Sequence, residues 1–424
     1  MRLIKPLVLL LVVALGALAL YLWLRDEAPT PKVQAWLSQI PAGNATSAAY
    51  LFLAGLDAAP RTSPAAVGKS RLQAYQAWLA VQGPTATDFN PDKGPTLDLP
   101  EGAAFCSITA ATCFDSLLAR RSELPTLLAE HAALLGRYRY FLHLRDYRTL
   151  TAPGLAEPLP PVNYLMRAQQ LLTLQVLQLA QAGEGQAALA LLQEDQAGVR
   201  LQLAQADQLV LKMALVEMLN QNLEWLVRLH RAGLLPAATA PALLSEGERS
   251  LRLPLKREFA TGSAVLRHLR EEDVSTMLEE TSLFFDYKPQ MTINASQPLY
   301  QRAVALSLLT PAAFRRAVTQ QPESQVPNTG LRNRIGNVLL EISGPTFIEQ
   351  VGQVQDLDSK IKLVALSLRL GQETVSEARL AQLAQVGGLG NPYQMGQRPY
   401  LDRQQRLCFQ GPLPPREGGR CVRL

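Results

Sequence analysis

The sequence predicts an all-α protein: an N-terminal transmembrane helix, then stacked antiparallel helical hairpins, and a small C-terminal β-hairpin. Three observations carry this. An uncharged run extends from Leu7 to Leu24. Leu, Ala and Gln dominate while aromatics are sparse at 6%, a balance that favours helix over sheet. From about residue 114 onward, apolar residues recur at helical spacing between Gly and Pro breaks.

The N-terminus reads "MRLIKPLVLLLVVALGALALYLWLRDE". Eighteen residues at 1.5 Å rise reach about 27 Å, near the ~30 Å of a bilayer core. Arg2 and Lys5 precede the run and "RDE" follows it, which orients the N-terminus inside and everything beyond Arg25 outside. Tyr21 and Trp23 stand at the distal end, where amphipathic rings favour headgroups. A cleaved signal peptide is the competing reading, with "ALA" at 17–19 as the cleavage site. The apolar run continues through Leu20–Leu24, so a retained anchor is expected. The division that follows is a cytoplasmic stub (1–6), an anchor (7–24), a spacer (25–46), an exported helical domain (47–388) and a hairpin tail (389–424). The expected location is the inner membrane, single-pass, with the bulk of the chain periplasmic.

An exported body meets an oxidising compartment, where paired cysteines persist as disulfides. The four cysteines form two local couples, Cys106/Cys113 and Cys408/Cys421. Loop-closure entropy favours pairing within each couple. A zinc site would need shorter Cys spacing and nearby His, and a redox centre would need C-x-x-C. Neither pattern is present, so the cysteines are expected to be structural staples, and no metal or cofactor is expected.

With 48% apolar and 18% charged residues, the body is a globular chain with a sizeable core. The net charge of +5 says little about partners over so large a surface. The spacer carries a glycosylation-type tripeptide, Asn44-Ala-Thr46, a pattern frequent by chance. Helices are expected over 47–56 and 68–82. The segment 83–104, "GPTATDFNPDKGPTLDLPEGAA", has no periodicity and reads as a surface wrap held by the first disulfide.

Beyond it, "AEHAALLGRYRYFLHL" and "LMRAQQLLTLQVLQLAQA" are helical, and a Gly-Glu-Gly link at 183–185 turns the chain back into an antiparallel hairpin. The helix at about 207–232 carries two apolar stripes, one with Leu209, Met213, Val216, Leu223 and Val227, the other with Leu211, Leu215, Met218, Trp225 and Leu229. Apolar on two faces, it should be central. Further helices fit 239–250, 256–285, 299–307, 311–320, 331–342, 346–370 and 373–386. A 34-residue repeat signature does not recur, so only helix-pair stacking is expected. In the tail, "RPYL" and "RLCFQ" flank a polar turn and suggest a hairpin.

Candidate chemistry is thin. "VGKS" at 67–70 echoes a phosphate-binding loop but has Ser63 where that pattern needs Gly. His131, His143, His230 and His268 show no metal spacing, and His230 reads as a core residue bonded to a carbonyl. "REEDVSTMLEE" places Glu272 near Glu279 and Asp273 near Glu280, with Arg267 and Arg270 in neutralising reach. "RYRYFLHLRDYR" at 137–148 interleaves Arg with Tyr. That composition suits lipid headgroups or glycans, yet on a helix its tyrosines read as packing. No nucleophile elbow appears.

Several landmarks resemble a group of uncharacterised, membrane-anchored helical envelope proteins of Gram-negative bacteria: "NATSAAYLFLAGLDAAPRTSPAAVG", "FCSITAATCFDSLL", "GRYRYF", "NRIGNVLLEISGPTFIEQVGQVQDLDSKIKLVALSL" and "NPYQMGQRPY". The likeness spreads over most of the chain and brings no activity to place on residues. "GNPYQ" also resembles the end segment of major pseudopilins, whose acidic residue at the start of the N-terminal helix has no counterpart in "RLIKPLVLLLVV". The expected function is that of a scaffold or interaction module, whose partners are the membrane and another envelope protein, not nucleic acid. Leaning away from catalysis leaves one alternative, an envelope hydrolase acting on lipid or cell-wall material, with 83–104 as a lid and 271–280 supplying carboxylates.

Overall fold

A computed structural model describes residues 4–40, 46–83, 86–90, 94–269, 287–320, 329–373, 375–385, 388–416 and 418–424. Helix α1 (Ile4–Leu24) has 21 residues, about 31 Å at 1.5 Å each. Its side chains are described at 10–18 and 20–24, and the large apolar ones among them are exposed. Over the described residues, no helix is long and apolar enough to cross a membrane.

Where the sequence suggested a spacer, residues 24–39 dock on the body. Asp26 accepts the amides of Gln290 (2.7 Å) and Met291 (3.0 Å), Lys288 Nζ donates to the Leu24 carbonyl (2.9 Å), and the Arg332 guanidinium donates to that of Arg25 (2.6 Å). Helix α2 (Pro31–Ser38) starts at Thr30, whose hydroxyl accepts the Val33 amide, with Pro in the first turn. Val33 is buried with Phe259 and Ile293, and Trp36 meets Phe259 edge-on. The Val33/Trp36 spacing and the capping Asp26 were the signals of docking within this polar stretch. Asn44 lies outside the described residues.

Helices α3 (Ala48–Ala54) and α4 (Pro64–Gln82) are capped by Ser47 and Ser63 and cross in backbone contact. A Cβ on Gly68 would stand 1.8 Å from the Leu51 carbonyl oxygen, and one on Gly55 2.0 Å from that of Pro64. "VGKS" is therefore helix, and its glycine serves close packing. The wrap follows: the Leu97 amide bonds the Asp57 carbonyl (2.7 Å), Ala58 bridges Thr96, and the Tyr164 hydroxyl holds the Leu97 carbonyl (2.8 Å). It leads to the Cys106–Cys113 disulfide, with Cα atoms 5.8 Å apart, at the start of α5 (Cys113–Ala119). Then come α6 (Leu124–Glu130) and α7 (Ala132–His143).

The expected hairpin is present as α8 (Val162–Gln181) and α9 (Gly185–Gln205), with Gly183 at φ +83° ending the first helix. Helix α10 (Leu209–Arg231) is buried on both faces, packing against α8, α9, the long C-terminal helix and the last strand. Its central place follows from its two apolar stripes.

Several boundaries differ, among them that of α4, which begins at Pro64 rather than at 68. Only α11 (Glu246–Arg249) forms within 239–250, started by a Ser245/Glu248 capping box, because Pro236 and Pro241 forbid regular helix before it. Helix α12 (Arg252–His268) begins earlier than expected, and 270–286, including the rest of the expected 256–285 helix, lies outside the described residues. Helix α13 (Pro289–Ser307) runs through Pro298, where the sequence suggested a start. After α14 (Pro311–Gln320), which matches expectation, α15 (Arg334–Leu370) is one helix of 37 residues rather than two. Helix α16 (Glu377–Gln385) follows.

The C-terminal sheet holds the expected hairpin, β1 (Tyr400–Leu401) and β2 (Arg406–Cys408), plus an unforeseen third strand, β3 (Cys421–Arg423). All pairs are antiparallel, with Cys408 opposite Cys421 in register. These two cysteines form the second disulfide, with Cα atoms 4.1 Å apart. The segment is part of the core: Leu407, Phe409 and Val422 are buried. Lys360 and Glu224, 0% and 2% exposed, pair beneath it at 2.9 Å, and Glu224 also accepts the Arg423 amide (2.8 Å). Tyr393, in the "NPYQ" segment, donates to Asp356 on α15 (2.6 Å).

Candidate functional site

A cavity of about 260 Å³ opens between α3, α4 and the start of α8. Tyr50, Leu53 and Ala54 come from α3, Arg71 and Leu72 from α4, Phe89 from the wrap, and Pro158–Pro161 with Tyr164 from the approach to α8. The walls are mostly apolar or aromatic, as in ligand sites generally. Leu159, between two prolines at the lip, is 68% exposed. Phe89 also packs on Tyr75 and Trp78, with ring centroids 5.2 Å from each.

One ion pair stands in the wall. Arg71 binds Asp57 and also donates to the Ala54 carbonyl (2.7 Å). The loop carrying Asp57 is held from below by Arg137 of α7, 8% exposed, whose guanidinium donates to the carbonyls of Leu56 (3.0 Å), Ala58, Ala59 (2.8 Å) and Thr62 (3.1 Å). A planar fork with five donors suits such a cluster of acceptors. Burial lowers the Arg137 pKa and neighbouring Asp57 opposes the shift.

Below the cavity lies a buried acid–arginine network. Glu157 accepts from Thr151 (2.6 Å) and Gln208 (3.0 Å) and pairs with Arg257 of α12, which also donates to the Thr151 carbonyl (3.0 Å). Burial raises the Glu157 pKa, and Arg257 pulls it back. Glu258, on the same helix, is raised by burial and then by Glu157. Among the described residues, Nε and Nη1 of Arg257 have no hydrogen-bond partner, so water is expected there. Burial pushes Tyr50 up to about 12, so its phenol is neutral and a hydrogen-bonding group rather than a base. The arrangement offers a shaped apolar recess with polar groups already engaged inside the protein. It is suited to holding a ligand in place.

The residues singled out in the sequence are dispersed. Lys69 and Ser70 lie on α4. His143 meets Glu194 at the surface (3.3 Å), and His268 bonds the Ala264 carbonyl (2.7 Å). Both ring nitrogens of His230 are buried without a hydrogen-bond partner among the described residues, in contrast to the expected carbonyl bond. Residues 271–280, with Glu272, Asp273, Glu279 and Glu280, lie outside the described residues.

"RYRYF" divides its roles. Arg137 clamps the loop, and Tyr138 is fully buried with its hydroxyl on Asp195 (2.5 Å). Tyr140 lies on the surface against Phe52. Arg139, His143 and Arg145 border a second, open cleft with Glu194. Asp402, Cys408 and Cys421 converge, but the sulfurs are bonded to each other and Asp402 is engaged by Arg406. Asp57, Arg71, Glu157 and Arg257 escaped sequence reading because each pair is assembled from separate elements; a lone acid in "GLAEPLPP" was the only trace of Glu157. Comparison with protein-family models, with curated proteins and with solved structures finds no match to this chain.

Proposed function

We propose that the chain is a single-pass inner-membrane protein of a Gram-negative envelope. Its N-terminus is cytoplasmic, and its helical body, periplasmic, acts as an interaction module. Support for the anchor comes from the run without charge from Leu7 to Leu24 and from the exposed apolar side chains of α1. An exposed apolar helix in water costs about 25 cal/mol per Å² left unburied, and a bilayer removes that cost. Resistance of the chain to alkaline extraction from membranes, with the body open to protease only from the periplasmic side, is the expected outcome. Release into the soluble fraction would refute the anchor.

The observation that carries the interaction role is the apolar cavity with Leu159 exposed at its lip. Two of its polar wall groups are bonded inward, Arg71 to Asp57 and Tyr164 to the Leu97 carbonyl, so what remains on offer is chiefly shape and apolar surface, with the Asn163 side chain at the wall. A photo-crosslinking residue at Leu159 should trap a discrete partner in intact cells, while one at exposed Val81 should not. Equal patterns at both positions would refute the reading. For the hydrolase alternative, one observation is favourable: Phe89 of the wrap does border the cavity. Turnover of envelope lipid or cell-wall material by the purified chain would establish that alternative.

A further inference from the structure

Resting on the anchored reading, we infer that the edge of the body formed by residues 331–342 lies in the headgroup layer of the leaflet into which α1 passes, so that the body rides on the membrane rather than above it. Three features of the structure converge on this edge. The first is position. The carbonyls that end α1 are bound by residues of this same corner, Leu24 by Lys288 and Arg25 by Arg332. Residue 331 is therefore within one arginine side chain of the point where the chain leaves the apolar phase. The Lys288 amide is in turn bonded to the Asn333 side chain (2.9 Å), which ties the starts of α13 and α15 together there.

The second is exposed apolar surface. Leu331 is 73% exposed and Ile342 64%, with Val338 partly open between them. Val338 and Ile342 are four residues apart in α15 and share a face. Apolar side chains grouped on one face mark a contact surface rather than the scattered exposure of ordinary proteins.

The third is charge. Arg25 and Arg332 meet at this corner. The acids beside them keep their charge while accepting from neutral amides, Asp26 from those of Gln290 and Met291, Glu27 from the Asn294 side chain (3.0 Å). Glu341 is the exposed acid on the same stretch. Exposed apolar residues beside arginines that can reach headgroup phosphates, with carboxylates of their own nearby, form the amphipathic pattern that settles at a lipid interface. The occupant of this edge is the lipid surface itself.

The test uses the full chain in vesicles of phosphatidylethanolamine and phosphatidylglycerol. All four native cysteines are paired in disulfides, so a single introduced cysteine can carry an environment-sensitive fluorophore. Labels at Leu331→Cys and Ile342→Cys should emit as in an apolar medium and be quenched by lipids bearing a nitroxide near the headgroup. Labels at Val81→Cys and Met395→Cys, both exposed, should be unaffected, and one at Leu15→Cys in α1 should be quenched by lipids labelled deep in the acyl chain. Quenching at 15 but not at 331 and 342 overturns the inference while leaving the anchor. Absence of quenching at 15 as well overturns both. An apolar emission at 342 without lipid quenching would mean protein covers the edge, and would also overturn it.

Discussion

Arg137 should be among the costliest residues to replace. Its guanidinium serves four main-chain carbonyls of the 56–62 loop at or below 3.1 Å, and the side chain is nearly buried. Hydrogen bonds from a charged group contribute about 1.5–3 kcal/mol each when made, and an abandoned buried acceptor costs about 1–3 kcal/mol. These values are not additive over four acceptors on one short loop, some of which will find water. An Arg137→Ala loss of about 3–5 kcal/mol is therefore expected, near the upper range for single substitutions. Arg137→Lys should recover only part of this, since an ammonium has three donors in a different geometry. The loop also carries Asp57, whose bond to Arg71 shapes the cavity wall. Crosslinking from Leu159 should accordingly fall even where the variant stays folded. Unfolding of the detergent-solubilised chain, followed by circular dichroism, measures the first effect. A loss under about 1 kcal/mol for Arg137→Ala would show that water replaces the guanidinium and that the clamp is incidental.

Lys360 and Glu224 form a buried pair; Lys360→Met alone should cost about 3–5 kcal/mol, while Lys360→Met with Glu224→Leu should cost markedly less. A double-mutant cycle by denaturation checks this, and equal losses would refute it. Replacing Cys408 and Cys421 by Ser removes the staple between β2 and β3 and should cost about 3 kcal/mol at most. Hydrogen exchange should then quicken first at Val422 and Arg423, and unchanged exchange there would refute the staple's role. Burial raises Asp356 to about 6 despite Arg420 and Tyr393. A raised carboxyl stabilises the fold most below its ordinary pKa of 3.8 and loses that contribution as pH climbs through about 6, a swing of about 3 kcal/mol. Asp356→Asn should flatten the fall in unfolding free energy over that window; an unaltered slope would refute the assignment.

Local periodicity made much of this fold legible. The bounds of α14 and the two-faced burial of α10 follow from residue spacing, and Gly183 marks the hairpin turn. What spacing could not convey depended on distant partners. Pro298 reads as a helix start because it lacks an N–H, yet α13 packs along α15 and α12, and that contact sustains the helix through it. Gly55 and Gly68 look like ordinary loop and motif residues until α3 and α4 are laid together. β3 is three residues long, too short to show alternation, and exists through β2 and the Arg423–Glu224 bond. The candidate site was the least legible part, since Glu157 and Arg257 lie 100 residues apart and neither has a patterned neighbour. The Cys106/Cys113 and Cys408/Cys421 pairings were legible because each couple closes a short loop.

Helix α12 joins the network beneath the cavity to the segment that follows α1. Within four residues, this helix touches both the network beneath the cavity and α2. Arg257 binds Glu157 and the Thr151 carbonyl beneath the cavity. Next to it, Lys256 bonds Gln39 and lies 5.7 Å from the Trp36 ring, which Phe259 meets edge-on at 5.6 Å. One helix thus links the ion-pair network beneath the cavity to α2, so a substitution at Arg257 should be felt at the Lys256–Trp36 contact as well as at Glu157.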